Sequence, residues 1–389
     1  MYHSLRTMEF FSSDTLSQDF WSEFLNQTER FKRPVLFKNK LQPGIDYDSI
    51  FQTFFQRYSA DSNFRKQVKI RVYVQNGLTE AALQEIQNQP PEESQSIEEW
   101  GEKLFEGKTW CIVLDKVSGV IEDLTVPIAK WLQPLISSFP AGEVKVDVSP
   151  YIGRYGFTPF GAHIDVDGIY VMHLQLGPNA KEMTLWEAEK FKQINQSNET
   201  VCFDFMPFLP HGTNYLIEAG DIFNLPASTH YHVGNAERFS VGITVGIKKE
   251  SSKTLLSKAL KEFRKDPTDQ DHSDLVESYG YKCKSNLGFM KKPVLKKISV
   301  AELMGKKVKL NLPFEIIIRE KNNYHLLYVR GRVLKMESKN EVLKLIQKLN
   351  QNQTIHLTPD FCEKNAVVFN PFLELIRKLY NYGALLFKD

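Results

Sequence analysis

Within GAHIDVDG, residues 161–168, a histidine and an aspartate stand two apart, and within THYHVGN, residues 229–235, two histidines do the same. Side chains at i and i+2 of a strand project from one face, so each pair aims its donors at a common point. His163 and Asp165 alone are a minimal signal, since a surface turn or a satisfied core histidine explains a bare HxD equally well. A third donor, His230 or His232, changes the available chemistry. Two imidazoles and one carboxylate on one side of a metal leave its other positions open, which suits non-heme Fe(II), an ion that must take both a co-substrate and oxygen. Zn or Mn accept the same donors, whereas closed tetrahedral Zn would want a further Cys or His. Asp167 reads as a turn-capping group rather than a ligand.

The segments carrying these residues have β character. From about 108 to 250 the runs TWCIVLD, GEVKVDVSPYIGRYG, GIYVMHLQLG, KEMTLWE, NYLIEAGDIFNLP and RFSVGITVGI are separated by Gly, Pro and Asn turns, the pattern of a sandwich or small barrel. Ahead of them, residues 1–107 read as mixed α/β. DTLSQDFWSEFLNQ (14–27) forms a helix with Leu16, Phe20, Phe24 and Leu25 on one side, and RPVLFKN (33–39) a strand. The polar, doubly proline-containing stretch 88–100 is a surface loop entering a helix.

Beyond Ile247 the period becomes helical. SSKTLLSKALKEFRKD places Leu255, Leu256, Ala259, Leu260 and Phe263 on one apolar face, a connector or dimer face within residues 251–294. Residues 295–389 read as a separate domain: PFEIII and YHLLYVRGRVLKM in a hairpin pattern, then two helices and the strand ALLFK. Ser338 and Glu341 form a capping box for the first helix. Asn370 caps the second, with Pro371 in its first turn and Gly383 just past its end. This order and size fit a winged-helix-like unit.

Composition sets the outer limits. With 389 residues, 42% hydrophobic and 25% charged, the chain is long enough for two or three cores. A net charge of +2 gives no support for a nucleic-acid footprint by bulk charge. The cysteines Cys111, Cys202, Cys283 and Cys362 are scattered with no CxxC, so neither a disulfide framework nor a zinc knuckle is expected. No apolar signal region opens the chain and no run approaches a membrane span, so the expected location is the reducing cytoplasm.

The HxD with a distal histidine, GIYVMHLQLG followed by Lys181, AGDIFNLP before the distal histidine, and FSVGITVG after it together resemble the JmjC branch of the cupin superfamily. The likeness covers residues 108–250, and RPVLFKN is similar to that family's lead-in strand. It implies mixed β with α architecture: a double-stranded β-helix (jelly-roll) core with flanking helices. It also implies an Fe(II)- and 2-oxoglutarate-dependent oxygenase with His163, Asp165 and a distal histidine as ligands. YHVG resembles the family string around that ligand, which selects His232 and leaves His230 as a neighbouring or substrate-facing group. The resemblance further implies that Lys181 holds the distal carboxylate of 2-oxoglutarate, with His173 and Thr244 beside it. Each has a plainer explanation: a turn charge for Lys181, a core histidine for His173, a β-former for Thr244.

Two departures bear on the substrate. Ser228, Thr229 and His230 replace an aromatic pair, and Phe160 stands where some relatives carry a hydroxyl. A JmjC-like core followed by helices and a C-terminal winged-helix-like unit resembles the ribosomal oxygenases, which hydroxylate protein side chains and dimerise through their helices. The expectation is therefore a dioxygenase hydroxylating a protein or peptide side chain, with succinate and CO2 as co-products. The same chemistry on a small molecule or RNA base, or a non-catalytic metal-binding sensor, are the alternatives. Arg377 and Lys378 on the last helix read as a solvated face rather than a DNA contact.

Overall fold

The structure is a computed structural model that describes residues 9–263, 272–295, 297–321, 323–337 and 339–388. The chain divides into two units, one formed by residues up to 134 with 146–249, the other by 135–145 with residues from 250 onward.

The first unit opens with the helix Gln18–Gln27, whose cap is Ser17, its hydroxyl accepting from the Phe20 N–H. Three positions spaced to share one side, Phe20, Trp21 and Phe24, are buried. They meet Trp131 and Phe37, with Phe24 stacked on Phe37 at 4.9 Å between ring centroids. That aromatic cluster anchors the first strand to the body of the unit.

The strands of this unit begin with β1 (Val35–Phe37), β2 (Lys69–Val74), β3 (Gly77–Leu78), β4 (Trp110–Asp115), β5 (Val144–Arg154), β6 (Gly156–Phe157) and β7 (Ala162–His163). They continue as β8 (Ile169–Pro178), β9 (Lys181–Glu187), β10 (Val201–Cys202), β11 (Thr213–Ile217), β12 (Ile222–Leu225), β13 (His230–Ala236) and β14 (Ser240–Lys249). One eight-stranded sheet runs β1-β12-β8-β14-β5-β4-β2-β3; a six-stranded sheet runs β10-β7-β13-β9-β11, with β6 also on β13. The pairs β1–β12, β12–β8, β13–β9, β14–β8, β2–β4 and β4–β5 are antiparallel. The turn-punctuated β runs between 108 and 250 do form strands, but the helices Glu122–Ser137 and Ala188–Asn195, which those runs gave no sign of, interrupt them. The two-residue strands β6, β7 and β10 escape any periodicity, being shorter than one alternation can reveal.

The turn into β12 has a specific clasp. Asp221, 1% exposed, accepts from the Asn39 N–H at 3.0 Å and the Glu218 N–H at 3.0 Å, and lies 3.0 Å from Lys38 Nζ. The stretch 88–100 does lead into a helix, Ile97–Leu104, whose start is a reciprocal capping box of Ser96 and Glu99.

In the second unit, β15 (Lys307–Leu310), β16 (Ile317–Lys321), β17 (Tyr324–Val329), β18 (Arg332–Glu337), β19 (Ile355–His356) and β20 (Leu385–Lys388) form two three-stranded sheets, β19-β15-β20 and β16-β17-β18. The helix Ser252–Phe263 buries Leu255 and Ala259 of the expected apolar face. The hairpin pattern expected of PFEIII and YHLLYVRGRVLKM corresponds to β16–β17 and β17–β18. The helix Asn340–Asn350 follows Lys339, which makes no side-chain cap bond; Ser338, expected as its cap, lies outside the described residues. One boundary is corrected. The last helix, Phe369–Asn381, starts from Val368, so Asn370 is inside it rather than capping it. The apolar face decides this: Phe372, Leu373, Ile376, Leu379 and Tyr380 are all buried and hold the first turn in register without a polar cap. Gly383, with φ +76°, ends it as expected.

Candidate metal centre

His163 and His232 are directly opposite in the β7–β13 pairing. Opposed residues share a face, and their ring centroids lie 4.2 Å apart. The alternation around them explains which face. Ala162, Tyr231 and Val233 belong to an apolar cluster with Trp186 and Phe191 on the reverse side, so a one-residue slip would bury the imidazoles in that cluster. Gly161 is required at the approach, because its φ is +73° and a Cβ there would meet the Cys202 carbonyl oxygen at 2.6 Å.

Both rings are oriented from behind. His163 Nδ1 is 3.0 Å from the Gly161 carbonyl oxygen and His232 Nδ1 is 3.4 Å from that of His230. With the proton on Nδ1 donating to the carbonyl, each Nε2 is left with a lone pair, the tautomer a metal requires. Burial, followed by the neighbouring His163, holds His232 well below the ordinary imidazole range, so its ring is neutral.

Asp165 is fixed through its backbone, whose N–H donates to the Ala227 carbonyl at 2.7 Å, tying it to the segment that leads into β13. Burial pushes its carboxyl up and His163 pulls it down, so the two side chains feel each other's charge. Among the described residues no group of three His, Cys, Asp or Glu side chains closes into a metal-binding set, so the carboxylate does not complete a triad with the imidazole pair as they stand. The donor chemistry fits a divalent ion: two imidazoles whose Nδ1 atoms face backbone carbonyls, and an acidic oxygen within electrostatic reach. His230, the alternative third donor, is half-buried, pairs in register with Glu187 and places Nδ1 3.0 Å from Thr229 Oγ1.

Lys181 is the first residue of β9 and is only 3% exposed, which excludes a turn charge. No carboxylate forms an ion pair with it among the described residues; its ammonium stands 5.1 Å from the ring centroid of Tyr151 and 5.5 Å from that of Tyr155. Burial lowers its pKa to about 8. Gly234, two residues beyond His232, makes room: a Cβ there would meet Lys181 Cε at 2.6 Å. Tyr151 and Tyr155 belong with Cys111 and Val113 to the apolar patch around this cation.

His173 and Thr244 are opposite each other in the β8–β14 pairing. His173 is 2% exposed, its Nε2 lies 3.0 Å from Gln175 Oε1, and burial with the nearby Lys181 charge lowers its pKa to about 3. Gln175 in turn donates to Ser240 Oγ at 2.9 Å. The histidine is therefore a neutral member of a polar network inside the sheet. Gly242 admits it, since a Cβ there would stand 2.4 Å from His173 Cε1. On the other flank Phe160 meets His163 edge-on at 6.2 Å, and Arg71, held bidentately by Asp115, lies 4.8 Å over the Phe160 ring. The sequence offered no sign of this arginine, because its partner comes from the next strand.

No family model and no curated protein matches the chain. Solved structures do. Escherichia coli YcfD superposes with a TM-score of 0.52 at 14% identity, over 98% of this chain and 100% of that one. YcfD is described as a ribosomal oxygenase. The chain has the same fold as YcfD. A second YcfD structure, in complex with cobalt and 2-oxoglutarate, gives a TM-score of 0.50 at 15% identity, covering 95% of this chain and 98% of YcfD. A third, with cobalt and succinic acid, matches equally well, again at 15% identity. At such identity the likeness to YcfD extends to the path of the chain and not to individual side chains. Among the described residues no helix is long and apolar enough to cross a membrane.

Proposed function

We propose that the protein is an Fe(II)- and 2-oxoglutarate-dependent dioxygenase that hydroxylates a side chain of a protein or peptide, releasing succinate and CO2. The observation that carries this reading is the conjunction of two facing imidazoles with a buried ammonium that lacks a carboxylate partner. A cation placed so deeply calls for an anion from outside the chain. YcfD has been solved with cobalt and 2-oxoglutarate, which supports the same pairing of metal and co-substrate here.

His163, Asp165 and His232 would hold the metal, and Fe(II) with 2-oxoglutarate supplies the oxidising chemistry. Lys181 would bind the distal carboxylate through a charge-assisted hydrogen bond strengthened by its apolar surroundings. Tyr151 and Tyr155 keep water from that ammonium. The His173–Gln175–Ser240 network holds the floor of the site in one arrangement, with Thr244 beside it. Phe160, packed on His163 and braced by Arg71, forms the side from which a substrate group would approach. On this reading the two sheets are the faces of a double-stranded β-helix, and the C-terminal helices with β15, β19 and β20 are a winged-helix-like unit.

A metal-binding protein without turnover is the competing reading. Succinate release from 2-oxoglutarate by the full chain with Fe(II) and ascorbate separates the two, because uncoupled turnover needs no substrate. Release that is lost in His232→Ala supports the oxygenase; stoichiometric iron binding with no succinate overturns it.

A further inference from the structure

In the second unit a thiol sits against a buried amine. Lys145 Nζ and Cys283 Sγ are 2.7 Å apart. That is the short limit even for N–H···O bonds, about 2.7–3.2 Å, and sulfur is a larger atom than oxygen. The separation is instead what two single bonds meeting at one bent oxygen would span. Lys145 is 7% exposed and forms no ion pair with a carboxylate among the described residues, so nothing draws its nitrogen away from the sulfur. Tyr279, one turn before Cys283 on the helix His272–Lys284, lies under the lysine nitrogen at 4.7 Å and closes the pair from below. Cys283 also borders a cleft lined by Phe139, Gly142, Leu287 and Gly288, which gives a small oxidant access to its sulfur. The other cysteines, Cys111, Cys202 and Cys362, are buried and lack an amine partner of this kind.

We propose that Cys283 and Lys145 are a redox-sensitive pair that a hydroperoxide converts into an oxygen-bridged N–O–S cross-link. The balance is closed by the oxidant alone. One thiol, one amine and two hydrogen peroxide molecules give the N–O–S link and three waters; sulfur and nitrogen each give up two electrons, and both O–O bonds are reduced. Excess thiol returns the cysteine and the amine, four thiols giving two disulfides while the bridging oxygen leaves as water, which places the link among the reversible oxidation states of cysteine. The partly exposed, amine-flanked setting is the kind in which cysteine oxidation is selective. The inference is independent of the oxygenase reading.

The test is mass spectrometry of the full chain after mild peroxide treatment, folded and in urea. The folded protein gains about 14 Da, one oxygen in and two hydrogens out, and its tryptic digest joins the Lys145 and Cys283 peptides with cleavage after Lys145 lost. Dithiothreitol reverses both, and urea prevents them because the two groups are then apart. Cys283→Ser and Lys145→Arg each abolish the gain. A folded wild-type chain in which Cys283 stays a thiol, or is carried to sulfinic acid while trypsin still cuts after Lys145, overturns the proposal. So does a gain that persists in Cys283→Ser.

Discussion

Two imidazoles whose Nδ1 atoms already face backbone carbonyls need no change of tautomer before a cation arrives. His232→Ala should therefore reduce iron retention by more than the roughly 10- to 100-fold that losing a group behind a ligand costs, while His230→Ala should leave it within a few-fold. Dialysis against Fe(II) followed by metal analysis reads both. Lys181 carries the co-substrate prediction. Loss of a charge-assisted hydrogen bond worth about 1.5–3 kcal/mol in Lys181→Met should raise the KM for 2-oxoglutarate about 10- to 100-fold, with the iron still bound. Its pH dependence follows from its direction. A lysine lowered to about 8 is charged below that pH and neutral above it, so 2-oxoglutarate affinity should be flat below pH 8 and fall by up to about tenfold per pH unit beyond it. The sign reverses for the ligand-free fold, whose stability should rise from pH 8 toward 10, because over that window the unfolded chain binds the extra proton. Calorimetric titration and denaturant melts across pH 7–10 check the two slopes.

At the scale of strands, register does what the side chains cannot do alone. Gly242→Ala would drive a Cβ to 2.4 Å from His173 and push that ring off Gln175, a loss of about 1–3 kcal/mol in urea unfolding. Asp221→Ala removes the acceptor for two backbone N–H groups at a buried turn and should cost about 2–4 kcal/mol by the same measurement. The sequence reaches these elements unevenly. Alternating apolar residues reveal β8, β9 and β14, and the i, i+2 spacing of His163 with Asp165 is visible because it is local. The pairing of His163 with His232 joins residues far apart in sequence through two short strands, and only a family resemblance suggests it. The burial of Lys181 was equally hidden: a lysine beside a glutamate looks like a turn until Gly234 and two tyrosines are seen to enclose it. The start of the last helix was misplaced at Asn370 because local capping preference was outweighed by the buried face that runs back to Val368.

At the scale of the whole molecule, the second unit has its own keystone. Arg330 is fully buried, with Cζ 3.5 Å over the Phe314 ring, Nε donating to Asn286 Oδ1 at 3.1 Å and Nη1 to the Gly383 carbonyl at 3.0 Å. Arg330→Met should destabilise that unit by about 2–5 kcal/mol, since two acceptors lose their donor. Iron retention by the first unit should be unchanged, and calorimetry of the full chain should show the second unit melting earlier.

The most direct test of the central claim is an anaerobic titration of the full chain with Fe(II) and 2-oxoglutarate, followed by visible absorption. The expected result is a charge-transfer band that needs both additions, saturates at one iron per chain, and disappears in His232→Ala. A wild-type chain that produces no band and retains no iron, or a band unaltered by His232→Ala, would contradict it.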